Sequence, residues 1–181
     1  MRRFLVSAAV LLATSSCVSA PTPAPAPPRP VPTYVPAPPP GPIPTPTPLA
    51  SDWRDWPVTP GDWVYRQDAR GSIAFYGVVG SDAALTLRCD RAAGQLFLSK
   101  RDVSGAGTAI TIRTSSTLRT LAAQPTGGTQ PYVATALAPR DSLLDAMAFS
   151  RGRFIVEQAG QAPLVVPSWA EIGRVVEDCR G

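Results

Sequence analysis

Leu85-Thr-Leu-Arg-Cys-Asp90, the link Arg91-Ala-Ala-Gly94, then Gln95-Leu-Phe-Leu-Ser-Lys100 is the stretch that sets the fold class. In the first run Leu85, Leu87 and Cys89 share one face while Thr86 and Arg88 share the other, the period-two alternation of a half-buried strand. Leu96, Phe97, Leu98 and Ser99 repeat the pattern after a short turn, so the pair reads as a β-hairpin.

Further short runs rich in Val, Ile, Thr and aromatics predict strands over Trp63–Gln67, Ile73–Val79, Ala84–Cys89, Gln95–Lys100, Thr108–Thr114 and Tyr132–Leu137, separated by Gly, Asp, Ser or Pro. Gly105-Ala106-Gly107 reads as a turn and Pro125–Gln130 as a loop. Phe154–Glu157 and Leu164–Val166 look like a strand pair across Gln158–Gln161. Helices come late. Asp141 caps a predicted helix over Ser142–Phe149, stopped near Gly152. Pro167, then Ser168 with Glu171 three residues on, predicts a capping box opening a C-terminal helix. Its apolar stripe is Trp169, Ile172, Val175, Val176 and Cys179, and Arg174 is placed to pair with acidic neighbours on the other side. The expected class is α+β: mostly antiparallel β, as a curved sheet or small sandwich, with two short helices late in the chain, the last one C-terminal.

Outside this domain the chain reads as a secretion and tethering device. Residues 1–16 combine a basic start, an apolar run from Phe4 to Ala13 and small residues before Cys17, the layout of a signal peptide. Cleavage before Cys17 and its acylation is one reading; ordinary cleavage after Ala20 is the other. Arg2-Arg3 serves as a basic flank, the fuller twin-arginine motif being absent. Residues 17–50 are the lipid-anchor cysteine and a linker, in which positions 21–49 hold 15 of the 22 prolines. Proline lacks an amide donor and fixes φ, so this tract reads as a disordered, semi-rigid polyproline spacer. Residues 51–181 form a single globular β-rich domain.

Three cysteines in an exported chain leave one to explain. If Cys17 carries lipid, Cys89 and Cys179 remain for a disulfide; two buried free thiols are the rival reading. Charge excludes one function class. Residues 51–181 carry 14 Arg and Lys against 13 Asp and Glu, so no basic concentration marks the domain as a nucleic-acid binder.

Catalytic motifs are scarce. Histidine is absent, so neither Ser-His-Asp nor Cys-His sets can form, and no metal or cofactor site is indicated. A carboxylate pair would suffice for a glycosidase. Asp90, Asp102, Asp141, Asp145 and Glu157 qualify by type alone, and their spacing selects no pair. The most distinctive feature of the domain is Asp52-Trp53, Asp55-Trp56 and Asp62-Trp63. Trp63 is expected in the core. Trp53 and Trp56, in a segment broken by Pro57 and Pro60, are the candidate binding residues with Asp52 and Asp55: an exposed indole beside a carboxylate suits a sugar ring or a partner protein. Arg151-Gly152-Arg153 is either a complement to a helix end or an anion pocket.

The segments Leu85-Thr-Leu-Arg-Cys-Asp90, Asp141-Ser-Leu-Leu-Asp-Ala-Met-Ala-Phe-Ser-Arg-Gly-Arg-Phe-Ile-Val-Glu157 and Pro167-Ser-Trp-Ala-Glu-Ile-Gly-Arg-Val-Val-Glu-Asp-Cys-Arg180 resemble uncharacterised envelope proteins of alphaproteobacteria. The order of elements is similar to that of small periplasmic accessory proteins, including some tied to type VI secretion or the invasion-associated locus B family. The resemblance implies a secreted domain without an assigned activity, and no functional residue carries over from it.

The expectation is therefore a lipid-anchored envelope protein facing the periplasm. Val18 after Cys17 favours the outer membrane. Its domain is expected to be a binding or structural module for an envelope protein or peptidoglycan. The alternative is a carboxylate-dependent periplasmic hydrolase or hydrolase inhibitor.

Overall fold

In the computed structural model the chain divides into Met1–Thr45 and Pro46–Gly181, and the residues described are 50–103 and 109–181. The signal, Cys17, the proline tract and the Gly105–Gly107 turn lie outside the described residues.

The hairpin that opens the sequence argument is present. β3 (Leu85–Asp90) pairs antiparallel with β4 (Gln95–Arg101), with Leu87 opposite Leu98 and Cys89 opposite Leu96. Its turn is closed by Asp90, whose carboxylate accepts the Ala93 amide at 3.1 Å, and Gly94 takes the left-handed φ of 61° that completes the reversal. Around it β1 (Asp62–Asp68), β2 (Gly71–Gly77), β8 (Tyr132–Leu137) and β7 (Gln124–Pro125) build a sheet in the order β1-β2-β3-β4-β8-β7. A second sheet runs β10-β9-β5-β6, from β10 (Leu164–Pro167), β9 (Arg153–Glu157), β5 (Ala109–Arg113) and β6 (Leu118–Ala122). Among the described residues every strand pairing is antiparallel.

Alternation decides which face is buried. Trp63, Ala74, Tyr76, Leu85, Leu87 and Leu98 of the larger sheet meet Ile110, Ile112, Phe154, Val156 and Val166 of the smaller one in a single core. Helices α1 (Ser142–Ala148) and α2 (Ala170–Arg180) add Leu143, Leu144, Met147, Ile172, Val175 and Val176 to it. A disulfide joins Cys89 of β3 to Cys179 of α2 with Cα atoms 5.4 Å apart. The helix is thereby held on the core side of the six-stranded sheet. The α+β class with its late helices is as expected.

Three local expectations fail. The capping box does not form: Ser168 Oγ is buried without a partner, and Trp169 stands at the N-cap position with no side-chain cap. β10 runs through Pro167 almost into the helix, and the Ser168 amide stays tied to Gly152 O at 3.2 Å, one residue too early to cap. Trp169 consequently sits outside the apolar stripe and is exposed. Arg174 stacks on the Tyr65 ring, 4.3 Å from its centroid, in place of the expected helix-face ion pairs. Finally, Pro125 belongs to β7, an edge strand where its missing amide costs no ladder bond.

Candidate functional site

The Asp-Trp cluster divides as its backbone dictates. Trp63 is 6% exposed, packs on Tyr76 at a ring-centroid distance of 5.2 Å, and donates Nε1–H to Pro167 O at 2.9 Å. Asp52 caps a 3-10 turn over Trp53–Asp55 by accepting the Arg54 amide at 2.9 Å, and Arg54 also stands over the Trp53 ring. That backbone bond, helped by the Arg54 guanidinium, holds the Asp52 carboxyl below its ordinary value against the opposing effect of burial. Trp53 and Trp56 are both half-buried, so neither is the widely exposed indole the proline-broken segment suggests. The reason is that the prolines do not free the segment. Trp56 Nε1 donates to Ala50 O at 2.6 Å, the Trp56 carbonyl accepts from Arg153, and Thr59 between the two prolines bonds to Val165. Asp55 is exposed beside them. The four candidate residues thus lie together at the start of the domain, partly packed, with one indole face already taken by a guanidinium. Arg153 is accounted for in the same way, as a strut for the Trp56 carbonyl.

Each of the carboxylates singled out by type is engaged by a different side chain. Asp90 pairs with Arg70 at 2.6 Å, Asp141 with Arg119 at 2.6 Å, Asp145 with Arg180 at 2.9 Å and Glu157 with Arg113 at 3.5 Å. Asp102 accepts from Gln161 Nε2 at 2.7 Å. Arg70 and the Ala93 amide pull the Asp90 carboxyl below its ordinary range, and Arg119 with the Leu143 amide does the same for Asp141. Groups held ionised by a guanidinium suit structure better than proton transfer. Among the described residues no cluster of three or more His, Cys, Asp or Glu is arranged to hold a metal ion.

A broad concavity lies elsewhere, on the outer face of the six-stranded sheet. Register places Val64, Phe75, Thr86, Ser99 and Ala134 in one row across five strands, all pointing away from the core. Above this row is an open groove of about 670 Å³, within the range of ordinary ligand sites. Its wall is the β2–β3 loop. Val78 O accepts the Ser81 amide at 3.1 Å, and Gly80 has φ of 83°, which leaves Val79 at the tip, 85% exposed. The loop is fixed at its far end by Tyr132, whose hydroxyl donates to Ala83 O at 2.6 Å. At its near end the Ala84 amide donates to Tyr76 O at 2.7 Å, and Gly77 lies so close to Ala83 that an added Cβ would stand 3.2 Å from its Cα.

Charge in the groove is separated. Asp62 and Asp82 stand at one end, both exposed, with Asp82 3.9 Å from Arg101. Arg66 stands at the other, its guanidinium 4.6 Å from the Phe75 ring centroid. One pair further along the strands, Ile73 lies between Arg66 and Arg88 and is only 6% exposed although it faces outward. Two arginine stems on neighbouring strands shield it from water. Arg88 is engaged by Asp68 at 2.8 Å, which also holds the Asp68 carboxyl below its ordinary value. The groove thus combines an apolar floor, the Thr86 and Ser99 hydroxyls, an acidic end and a basic end.

Sequence reading missed this groove because its residues are ordinary strand residues. The signal present in the sequence was Phe75 and Val64 on faces that alternation assigns to solvent. A second missed feature is Lys100, 4% exposed, whose Nζ donates to Gln161 Oε1 at 2.7 Å and to Arg101 O at 3.2 Å. Burial pushes its pKa down, partly opposed by Asp102.

Comparison with protein-family models, curated proteins and solved structures finds no match to this chain.

Proposed function

We propose that this is a binding module of the cell envelope, tethered through an acylated Cys17 and the proline spacer, and that it recognises a polypeptide partner with the outer face of its six-stranded sheet. One observation carries the reading: the apolar row Val64–Phe75 with exposed Val78 and Val79, facing solvent beside a loop fixed at both ends. Valine at 85% exposure on a braced loop contributes nothing to the core, whereas a partner's side chains would bury it. A polypeptide fits better than a glycan. The floor is aliphatic and aromatic, and the Phe75 ring has a guanidinium above it. Trp53 and Trp56 become supports of the domain's first segment rather than a sugar platform.

The reading is tested with a photo-reactive phenylalanine analogue placed at Val79 in cells producing the full chain. The same analogue at Leu118, exposed on β6 of the other sheet, is the control. A discrete protein adduct from position 79 and not 118 supports the reading. Adducts of equal yield from both positions, none from position 79, or material released only by cell-wall digestion would overturn it. Mass spectrometry of the exported N-terminus tests the tether: a diacylated Cys17 supports it, and an unmodified chain starting at Pro21 removes it.

A further inference from the structure

Resting on that reading, we infer that the groove selects an extended segment bearing a cation and a carboxylate on the same face, two or four residues apart. Asp62, Val64 and Arg66 are alternate residues of β1, so all three side chains stand on the groove side of the sheet. The Cα atoms of Asp62 and Arg66 are about 13 Å apart along such a strand. Arg66 leans back over Phe75, which is paired with Val64, and this shortens the gap between the opposite charges. Two residues of extended chain span about 7 Å and four about 13 Å. Odd spacings send the two ligand charges to opposite faces.

Both protein charges are available. Most arginines in the domain are committed to carboxylates: Arg54, Arg70, Arg88, Arg101, Arg113, Arg119 and Arg180 each have one within 4.0 Å. Among the described residues Arg66 has none; the Phe75 ring orients it and leaves its edge nitrogens for a ligand carboxylate. Asp62 likewise has no cation within salt-bridge distance among the described residues. Between the charges, Val64 and Phe75 offer apolar contact, and Thr86 and Ser99 offer hydroxyls to a ligand main chain. Like-charge contact at either end makes the pattern selective: a carboxylate placed at Asp62 or a cation placed at Arg66 is repelled.

The test is fluorescence anisotropy with the full chain and a fluorescein-labelled heptapeptide of alanine and valine, carrying lysine at position three and glutamate at position five. Moving the glutamate to position four is expected to weaken binding about tenfold, as is replacing either charged residue by glutamine. Raising NaCl from 50 to 500 mM should weaken the first peptide and leave an uncharged one unchanged. Arg66→Gln and Asp62→Asn, both exposed positions, are expected to fold as the parent does and to lose the spacing preference. Equal affinity for even and odd spacings, or no binding of any charged peptide by a chain that still gives the Val79 adduct, overturns the charge-pair inference and leaves the binding module standing. Even-spaced preference that survives Arg66→Gln assigns recognition to other groups and overturns it too.

Discussion

Thr59 and Val165 bind each other twice: the Thr59 amide donates to Val165 O at 3.0 Å, and the Val165 amide donates to Thr59 Oγ1 at 3.0 Å. Thr59 directly precedes Pro60, which has no amide hydrogen to donate. Its own carbonyl accepts the Tyr76 hydroxyl at 2.5 Å. One residue thus fastens the first segment of the domain to the edge of one sheet and to the core of the other. Thr59→Val keeps the β-branched shape and removes only Oγ1, leaving the amide of buried Val165 without its acceptor. The expected cost is about 1 to 3 kcal/mol by urea unfolding. Acrylamide quenching of Trp53 and Trp56 should rise before the main transition; unchanged quenching would mean the segment is held by other contacts.

The Cys89–Cys179 bridge closes a loop across 90 residues. In the chain-entropy model a loop of that size restricts the unfolded state by about 4 to 5 kcal/mol. Replacing both cysteines by alanine should therefore lower stability by about 2 to 5 kcal/mol. Other contacts also hold this place, among them Tyr65, which donates to Asp178, one residue before Cys179, at 2.6 Å. The double variant should keep α2 docked at 25 °C while melting cooperatively at a lower temperature. Free thiols in the folded protein, found by alkylation, would contradict the bridge directly.

The fold was readable where one periodicity dominates. Leu85–Lys100 alternates cleanly, Asp141 has a helical run behind it, and the cysteine count pointed to its pair. It was unreadable where burial is one-sided or the partner is distant. β6 exposes Leu118 and Ala122 at a sheet edge, so no alternation advertises it. Ser168-x-x-Glu171 has a capping-box spacing, but a β-bridge to Arg153 holds its neighbour Pro167 in a strand. The groove was invisible for a related reason. A row such as Val64–Phe75–Thr86–Ser99 exists only once four strands are in register, and no single segment shows it.

Trp63 should behave as the core residue of its cluster. Trp63→Ala removes a buried ring packed at a tilt against Tyr76 and is expected to cost about 3 to 5 kcal/mol. Trp63→Phe retains most of the packing and deletes the bond to Pro167 O, so about 1 to 3 kcal/mol should be lost. Trp53→Ala, at a half-buried position with no core contact, should cost less than either. Equal losses for Trp53→Ala and Trp63→Ala in denaturant titrations would show that the cluster packs as one unit.

Asp141 links α1 to a strand that the sequence concealed. Its carboxylate accepts the Leu143 amide at 2.9 Å and takes two bonds from Arg119 of β6, at 2.8 and 2.6 Å. Arg119 and that amide hold its pKa below the ordinary value of 3.8 in the folded chain. Below 3.8 the unfolded chain therefore binds a proton that the folded chain refuses. The stabilisation is fully present above the ordinary value and is lost as pH falls through the folded one. Asp141→Asn should flatten the acid limb of a stability–pH curve, and Asp141→Ala should add a cap loss of about 1 kcal/mol at pH 7. An acid limb identical in parent and Asp141→Asn would assign the pH dependence to other carboxylates, Asp90 first among them.

Lys100 poses the opposite electrostatic problem. It is the chain's one lysine, 4% exposed, on the core side of β4 at the mouth of a smaller hollow lined by Gln161 and Leu164. Its ammonium is held by Gln161 Oε1 and Arg101 O, yet burial still drives its pKa below the ordinary 10.5. Between the folded value and 10.5 the unfolded chain binds more protons, so Lys100 makes stability rise with pH through that window. Lys100→Met keeps the length of the apolar stem and removes the desolvated charge. It should be neutral to stabilising at pH 7, whereas Lys100→Ala should lose about 2 kcal/mol or more to the cavity. The sign is checked by urea unfolding of parent and Lys100→Met at pH 7, 9 and 10. The advantage of the methionine should shrink as pH rises and the parent sheds its buried proton. A gap that widens with pH would mean the fold prefers the ammonium, with attraction to Asp102 outweighing the loss of water.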